Sequence, residues 1–367
     1  MEKNGKASNV EYKIMKHVLY HRIFEPNPFG HGGERRAAQL AEWSAAQGLE
    51  CYYYPLRGTA GYRFIIWSLR LVLQTYGWSI LRHPKALWRA FRFISYNYTK
   101  NLQDFFNRPE KTLLIEGTIE EFQVLFTLAK RYGKDVIAFP HNLESLVPKS
   151  KYMVGDKISA FSNEIKCLQS CKAVYCISEE ETWLLRLWGI NAHFLPYIPP
   201  QQTRDYLLAI RKERDQRIQP TKRILMAGSA LNVPTAQGMQ QLMDYWQHIS
   251  GYELRVAGYG TLDKLLHPQK GYVTLLGTLS DEQMREEMIS CDALLISQPP
   301  TTGALTRIQE ALVAGIPIIA NDNAVRTYRR TAGVYEYTHM EDLNIILQQD
   351  LLVPLLPNMD AMEALKL

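Results

Sequence analysis

Short apolar runs, rich in β-branched and aromatic residues, recur along the chain at intervals long enough to hold a helix. This pattern predicts mainly parallel sheets with helices on both faces. In the first half the predicted strands are 14–20, 51–54, 112–115, 136–139, 173–177 and 193–195. In the second half they are 223–227, 253–257, 272–276, 293–296, 317–320 and 334–337. Each half can therefore carry its own doubly wound sheet.

The predicted boundary between the halves is the segment LPYIPPQQ at 195–202, where three prolines prevent regular structure. A chain of 367 residues is long enough for two domains with separate cores. We therefore predict an N-terminal domain at 1–198 and a C-terminal domain at 199–350. The tail at 351–367 is expected to pack back on the first domain.

Composition and charge are those of an ordinary globular protein. Of the residues, 46% are hydrophobic, and the net charge of +5 is too mild to indicate a nucleic-acid binder by itself. The polar N-terminus lacks the apolar core of a signal peptide, and no apolar run is long enough to predict a membrane span. The five cysteines are irregularly spaced without a Cys-x-x-Cys pair, so we expect reduced, mostly buried thiols in a cytoplasmic protein and no metal site.

A glycine-rich loop and a helical pattern follow the first predicted strand, in FGHGGERRAAQLAEWSAAQG. Gly30, Gly32 and Gly33 stand where the helix begins, and glycines there let backbone N–H groups approach an anion or a sugar hydroxyl. A tight strand-to-helix turn explains the same glycines without any ligand. The predicted apolar face of the helix consists of Ala37, Leu40, Ala41, Ser44 and Ala45.

A second strand-loop-helix segment, SQPPTTGALTRIQEALVAGIPIIAND at 297–322, carries the clearest candidate chemistry. An anion at the start of its helix would meet the helix dipole, the hydroxyl or N–H groups of Thr301, Thr302 and Gly303, and the guanidinium of Arg307. Glu310, one helical turn after Arg307, can accept hydrogen bonds from a ribose diol. The alternative is a surface Arg–Glu pair, worth a few tenths of a kcal/mol.

The second half resembles the GT-B nucleotide-sugar glycosyltransferases, in particular retaining family 4. The resemblance is carried by GALTRIQEA at 303–311 and GIPII at 315–319, preceded in the family's order by ILMAGS at 224–229, RVAGYG at 255–260 and VTLLGTLSDEQM at 273–284. The first half is similar more loosely, through GGERRAAQLAEWSAAQG, AFPHNLES at 138–145 and VYCISEEETWLL at 174–185.

The resemblance implies an α/β GT-B fold, with two Rossmann-like doubly wound domains facing across a cleft. It implies that the first domain binds the acceptor and the second binds the nucleotide sugar. It also implies three catalytic residues: Arg307 on the diphosphate, Glu310 on the ribose hydroxyls and His141 at the transferred sugar. The implied donor-binding set is Gly32, Gly33, Gly228, Ser229, Gly258, Gly277, Thr301, Thr302, Gly303, Thr306, Arg307 and Glu310.

The chain departs from the family pattern at two places. Thr302 stands where the family commonly has a Glu, so recognition of the transferred sugar is altered or the site is weakened. The basic pair often found after the opening turn of the second domain is absent from GSALNVP at 228–234, which leaves more of the diphosphate charge to Arg307. His141, at a predicted strand end, is also explained as a hydrogen-bonded structural residue. No Asp-x-Asp pair occurs, so we predict no metal requirement and no cofactor besides the nucleotide diphosphate sugar as co-substrate.

The positive charge of the chain is concentrated in one segment. Positions 51–103 contain no Asp or Glu, eight Lys or Arg and thirteen of the 40 aromatic residues. This pattern fits an interfacial helix at anionic lipid headgroups. An aromatic core with Arg at its edge remains an alternative, and nucleic acid is a competing partner that we do not predict because no binding motif accompanies the pattern. The predicted membrane or acceptor surface comprises Arg82, Lys85, Trp88, Arg89 and Arg92.

Together these features predict a transferase that moves a sugar from a nucleotide diphosphate sugar to a glycan or lipid-linked acceptor. The family implies retention of configuration and a metal-independent reaction in cell-surface polysaccharide or glycolipid synthesis. We expect a cytoplasmic protein, peripheral on the inner face of the membrane. The alternative is a catalytically weak GT-B homologue that acts as a binding or scaffold subunit, which Thr302 favours. A sugar-nucleotide epimerase is disfavoured, because the acid and base groups that it needs are not conspicuous near the cleft motifs.

Overall fold

The computed structural model describes residues 16–54, 65–97, 100–147, 156–266 and 272–359. Within these ranges, twelve strands form two separate six-stranded sheets, one in each half of the chain. All their recorded pairings are parallel. Each of the twelve predicted strands is present, with ends that differ by at most two residues among those described. Positions 14 and 15 of the first predicted strand lie outside the described residues.

The first half alternates strands and helices, with three helices inserted between its second and third strands. Its elements are β1 (Lys16–His21), α1 (Gly32–Ala46), β2 (Leu49–Tyr53), α2 (Ile65–Tyr76), α3 (Pro84–Asn97), α4 (Lys100–Asn107), β3 (Thr112–Glu116), α5 (Gln123–Arg131), β4 (Asp135–Phe139), α6 (Lys157–Gln169), β5 (Ala173–Cys176), α7 (Glu179–Leu187) and β6 (Ala192–Phe194).

The second half repeats the alternation after a leading helix. Its elements are α8 (Gln201–Arg214), β7 (Arg223–Ala227), α9 (Val233–Tyr245), β8 (Glu253–Ala257), α10 (Thr261–Lys264), β9 (Val273–Gly277), α11 (Asp281–Ser290), β10 (Ala293–Ile296), α12 (Thr306–Val313), β11 (Ile318–Asn321), α13 (Asp322–Val325), β12 (Val334–Tyr337) and α14 (Asp342–Ile346). Short 3-10 turns occur at Trp78–Arg82, Glu120–Phe122, Glu144–Leu146, Trp246–His248 and Arg326–Tyr328.

The order of the strands places a switch point in each sheet. The first sheet runs β2-β1-β3-β4-β5-β6, and the second runs β12-β11-β10-β7-β8-β9. Successive strands are therefore added toward one edge of the sheet and then toward the other, and the two directions meet between β1 and β3 in the first sheet and between β7 and β10 in the second. Ligands of open α/β sheets bind beyond the carboxyl ends of the strands at such points.

Helix α1 is buried on a wider face than its small residues predict. Trp43 packs on Phe139 of the sheet with ring centroids 5.6 Å apart, and Arg36 donates a hydrogen bond to the Leu195 carbonyl at 3.1 Å. Ala45, which we predicted on the apolar face, is exposed. The difference arises because the helix lies between the sheet and the proline-rich linker, so residues on its flank are covered as well.

The proline-rich segment at 195–200 has no regular structure and joins β6 to α8. The described part of the tail, residues 351–359, contacts the second half, although we predicted that the tail returns to the first domain. The Leu352 N–H donates to the Tyr335 hydroxyl at 2.7 Å, and Arg211 donates to the Pro354 carbonyl. Residues 360–367 lie outside the described ranges.

Beyond β2, the described part of the acid-free segment forms α2, α3 and the start of α4, and these helices cover one face of the first sheet. Leu71 of α2, Ala90 of α3 and Phe106 of α4 are buried in a core with Leu113 and Ile115 of β3. In the ranges that the structure describes, no helix combines the length and the apolar character needed to span a bilayer. All five cysteines are free thiols, two buried and three partly buried.

Candidate functional site

A cleft of about 1020 Å3 lies at the carboxyl ends of the strands of both sheets. From the first half it is lined by Phe24 beyond β1 and His141 beyond β4. From the second half it is lined by Gly228 beyond β7 and Gln298 beyond β10. The cleft therefore meets the switch point of the second sheet, where β7 and β10 are neighbours.

Helix α12 begins at this cleft without a side-chain cap. Its N-cap residue, Leu305, makes no capping hydrogen bond, so the positive end of the helix dipole faces the cleft beside Thr306. Arg307 donates to the Ala227 carbonyl at 3.2 Å and to Gln298 at 3.4 Å, while its buried Nε–H has no partner. Burial lowers the pKa of Arg307 to about 10, so the side chain remains a cation near pH 7. A phosphate oxygen would satisfy both the charge and the unpartnered donor.

Glycines stand at the carboxyl ends of β7, β8 and β9, in the same half as α12, at Gly228, Gly258 and Gly277, and a Cβ on Gly228 would lie 2.9 Å from an Arg307 nitrogen. Gly258 has a φ of +135°, and a Cβ there would lie 1.9 Å from the Gly228 carbonyl oxygen, so only glycine fits. Gly228, Ser229 and Gly258 line the cleft. Gly277 lies behind them and accepts a hydrogen bond from the Gly258 N–H at 2.7 Å, so it supports the turn rather than lining the cleft.

Glu310, in the second half, contacts the first half and the linker. Its carboxylate forms an ion pair with Arg35 of α1 and accepts a hydrogen bond from the Tyr197 hydroxyl at 2.9 Å. Its side chain is 10% exposed, and it lines the cleft together with Arg35. Neither partner was predicted. Arg35 stands within GGERRAAQ, whose glycines drew the prediction, and Tyr197 lies in the linker that we interpreted only as a boundary.

Helix α1 begins directly opposite α12, but its first N–H groups are already satisfied. His31 accepts hydrogen bonds from the N–H groups of Gly33 and Glu34, and Glu34 accepts one from the His31 N–H in return. A Cβ on Gly32 would lie 3.3 Å from the Thr306 hydroxyl oxygen, so the two helix starts nearly touch. Gly32 and Gly33 both line the cleft, although the Gly33 N–H donates to His31 rather than facing open space.

His141 lies at the end of β4 with its ring in the cleft. Its Nε2 is 3.6 Å from a carboxylate oxygen of the buried Glu116, which also accepts a hydrogen bond from the Tyr20 hydroxyl. Phe24 packs on the imidazole, with ring centroids 5.6 Å apart. The Nε2 atom is buried and has no hydrogen-bond partner, so the contact with Glu116 does not amount to a structural hydrogen bond. The role of His141 at the transferred sugar stays a prediction.

The loop at Thr301–Gly303 does not line the cleft, in contrast to what the sequence predicts. The Thr302 hydroxyl donates to the Leu143 carbonyl at 3.2 Å, and the Gly303 N–H donates to Glu181 at 2.9 Å. A Cβ on Gly303 would clash with the side chain of Asn142. The loop is turned toward the first half because residues 141–143 and the start of α7 offer it hydrogen-bond partners there.

Three carboxylates that sequence reasoning did not single out stand behind this loop. Glu164 accepts hydrogen bonds from the N–H groups of Glu144 and Ser145, and Glu181 accepts one from the Leu143 N–H at 3.0 Å. Burial raises the pKa values of Glu164 and Glu181. Glu144 lines the cleft, and burial with its acidic neighbours raises its pKa to about 7. Glu144 could have been predicted near the cleft from the sequence, because it follows His141 by three residues in HNLES.

The predicted basic and aromatic surface lies apart from the cleft. Arg82 and Lys85 are exposed, and Trp88 of α3 is 61% exposed. Trp78, in the preceding turn, is 75% exposed. The side chains of Arg89 and Arg92 lie outside what the structure describes.

Among the described residues, no group of three His, Cys, Asp or Glu side chains is arranged to hold a metal ion. The absence of a metal requirement stays a prediction.

No family model and no curated protein matches the sequence. Solved structures do match the fold. Sucrose-phosphate synthase from Thermosynechococcus elongatus is 13% identical with a TM-score of 0.56, covering 91% of this chain and 89% of that one. HepE of Anabaena, solved with UDP and glucose, is 12% identical with a TM-score of 0.53, over 90% and 89%. A glycosyltransferase from Rickettsia africae is 12% identical with a TM-score of 0.51, over 95% and 92%. The chain therefore has the two-domain α/β GT-B fold of these glycosyltransferases.

Proposed function

We propose that this protein is a glycosyltransferase that moves a sugar from a nucleotide diphosphate sugar to a glycan or lipid-linked acceptor. The observation that carries the proposal is the meeting of Arg307, Glu310 and the uncapped start of α12 at one cleft between two Rossmann-like sheets. These are the groups that a nucleoside diphosphate needs, namely a cation and helix dipole for the phosphates and a carboxylate for the ribose. The neighbours with GT-B folds include a protein solved with UDP and glucose, which supports the same donor class.

In this proposal, Arg307 and the start of α12 stabilise the negative charge that develops on the departing diphosphate. Glu310 accepts hydrogen bonds from the ribose hydroxyls and sets the register of the donor. His141 lies on the opposite wall, where the transferred sugar would extend from the phosphates. Retention of configuration and independence of metal ions belong to the proposal through the family resemblance. Activity that a chelator abolishes and manganese restores would contradict the metal-independent mechanism.

A second candidate function is nucleotide binding with little or no turnover. It is favoured by the loop at Thr301–Gly303, because Thr302 and Gly303 donate hydrogen bonds to residues of the first half and do not line the cleft. A homologue of this kind would act as a binding or scaffold subunit.

We also propose that the exposed face around Trp78, Arg82, Lys85 and Trp88 places the protein on an anionic membrane, close to a lipid-linked acceptor. Aromatic side chains beside cations suit the headgroup region of a bilayer. This would assign the enzyme to cell-surface polysaccharide or glycolipid synthesis on the cytoplasmic side.

The test is a thermal-shift screen with UDP, GDP, ADP and their sugar conjugates. A ligand that binds only the folded state raises stability by RT ln(1 + [L]/Kd), so the correct base gives a shift that grows with concentration. Hydrolysis or transfer of the sugar from the stabilising conjugate identifies the enzyme. Tight binding without turnover identifies the second candidate function, and no shift with any nucleotide contradicts both.

A further inference from the structure

Among the described residues, Arg35 is one of three arginines that line the cleft, with Arg36 and Arg307, and it reaches across from the first half of the chain. It lies three residues after Gly32 on α1, and residues at this spacing share one face of a helix. That face approaches the start of α12, since a Cβ on Gly32 would lie 3.3 Å from the Thr306 hydroxyl oxygen. Arg35 therefore stands beside the same helix terminus as Arg307, but on the opposite wall.

The hydrogen bonding of Arg35 is incomplete. It forms an ion pair with Glu310, while its Nε–H is buried and has no partner, which is the same condition as the Nε–H of Arg307. Burial lowers the pKa of Arg35, whereas the Glu310 carboxylate raises it, and the net change is a rise. Arg35 and Arg307 line the same cleft from opposite sides, each with an unused buried donor, and an anion with several oxygens can satisfy both.

The adjacent Arg36 shows what a structural arginine looks like in this helix. It donates to Gln39 and to the carbonyls of Leu195 and Pro196, so it holds the linker against α1. Arg35 makes no comparable contact with the linker carbonyls among the hydrogen bonds of the described residues. Arg36 also lines the cleft and its buried Nε–H has no partner, but its terminal nitrogens are bonded to the linker and to Gln39. The terminal nitrogen of Arg35 is instead paired with the Glu310 carboxylate, which the donor can replace.

We propose that Arg35 binds the donor diphosphate together with Arg307, moving from the Glu310 carboxylate to the phosphate oxygens when the nucleotide enters. The inference rests on the proposed function and adds a donor-binding residue that the sequence analysis did not predict. Glu310 then loses one charged partner and gains the ribose hydroxyls, while the two guanidinium groups share the negative charge of the diphosphate. The first half of the chain contributes a cation to the diphosphate, and donor binding links the two halves.

The experiment compares affinities for a nucleoside diphosphate and for its nucleoside, using whichever of UDP, GDP and ADP binds the wild-type chain. For Arg35→Gln we expect binding of the diphosphate to weaken by ~10- to 100-fold, as for loss of a charge-assisted hydrogen bond. Binding of the nucleoside, which has no phosphate, should be nearly unchanged. Arg35→Lys, which retains the charge without the planar fork, should lie between wild type and Arg35→Gln.

A matched control is Arg285→Gln, which breaks an Arg–Glu ion pair with Glu213 on the surface and should alter neither affinity. If Arg35 only positions Glu310, Arg35→Gln will weaken the nucleoside and the diphosphate by the same factor, and the inference is wrong. Unchanged binding of the diphosphate is equally contrary to it. If the wild-type chain binds none of the three diphosphates, the proposed function itself fails and the inference fails with it. This outcome is distinguished from failure of the inference alone because the wild-type chain then shows no binding at all.

Discussion

Arg307 is a cation whose surroundings offer it too few acceptors. Its guanidinium reaches one carbonyl and one amide oxygen, and its Nε–H has no partner. A buried, partly satisfied cation is costly unless a ligand completes its hydrogen bonds. This is the residue on which we expect the transferase activity to depend most.

Arg307→Ala should therefore remove about 2–4 kcal/mol of transition-state stabilisation, the effect typical for loss of one donor to a developing negative charge. The measurement is kcat/KM with the donor found in the nucleotide screen, at saturating acceptor. Arg307→Lys should recover part of the loss, because it keeps the charge but not the forked geometry. Unchanged kcat/KM in the Ala variant would remove Arg307 from the site.

Glu144 provides a pH-dependent test at the same scale. Its pKa is raised from an ordinary value of 4.5 to about 7, first by burial and then by the charges of Glu164, Glu181 and Glu121. The folded state thus disfavours the ionised form, and the wild-type chain loses stability as the pH rises from about 4.5 to about 7. The Asn142 amide, which donates to Glu144 at 3.3 Å, offsets part of this effect.

Glu144→Gln should be more stable than wild type at pH 8 by ~1–2 kcal/mol, because a pKa change of one corresponds to about 1.4 kcal/mol and water in the cleft screens part of it. The difference should nearly vanish at pH 4, where the wild-type carboxyl is mostly protonated in both the folded and the unfolded state. Urea unfolding at both pH values measures it. Glu286→Gln, at an exposed position of α11, is the control and should show no such trend. A difference that is independent of pH would contradict the assignment.

At the scale of elements, the acid-free segment divides into a buried and an exposed part. Leu71 and Tyr76 of α2 and Ala90 of α3 are buried in a core with β3 of the first sheet, so part of the aromatic content of the segment is ordinary core. Trp78 and Trp88 remain exposed beside Arg82 and Lys85. The buried part fits the interpretation as an aromatic core, and membrane docking through the exposed part stays a prediction.

Vesicle co-sedimentation tests the exposed face. The chain should bind vesicles that contain anionic lipid and should not bind neutral vesicles. Each Lys or Arg near the membrane surface contributes ~1 kcal/mol of binding free energy. Reversal of the four predicted charges should abolish binding; these are Arg82, Lys85, Arg89 and Arg92, each changed to Glu. A control variant reverses four exposed lysines elsewhere and should still bind; these are Lys130, Lys172, Lys212 and Lys264. Binding that survives the first set of reversals would contradict membrane docking through this face.

At the scale of the whole molecule, the two halves are joined by polar contacts between distant parts of the chain. Arg35 pairs with Glu310, and the Glu181 carboxylate accepts the N–H groups of Leu143 and Gly303. Glu181 therefore bridges the two halves through its own side chain. Its burial raises its pKa, and the two N–H donors limit that rise.

Glu181→Ala should lower the free energy of unfolding by about 2–3 kcal/mol, because it leaves two buried N–H groups without an acceptor. It should also raise the KM for the donor, since the loop before α12 loses its anchor. Denaturant unfolding and steady-state kinetics measure the two effects. Glu179→Ala removes an exposed carboxylate from the same first turn of α7 and should change both much less. Equal effects of the two substitutions would show that Glu181 does not join the halves.

The elements and their order could be predicted from the sequence because strand and helix formation follow local burial patterns. Strands such as β7, β8 and β10 begin and end at the predicted residues. The turn at Gly258 was also predictable, because a backbone in that conformation excludes a side chain. Ala45 was misplaced because the pattern of small residues could not show that the linker covers the other flank of α1.

What the sequence by itself determined is the architecture and the position of Arg307 at the start of a helix. Only the tertiary structure decided which polar groups meet: the Arg35–Glu310 pair joins residues 275 positions apart, and Thr302 and Gly303 turn to the first half instead of the cleft. The physical reason is the distance along the chain over which each kind of interaction acts. Helix and strand periodicity is set by neighbours a few residues away, whereas a buried ion pair depends on how two sheets pack, which no local pattern encodes.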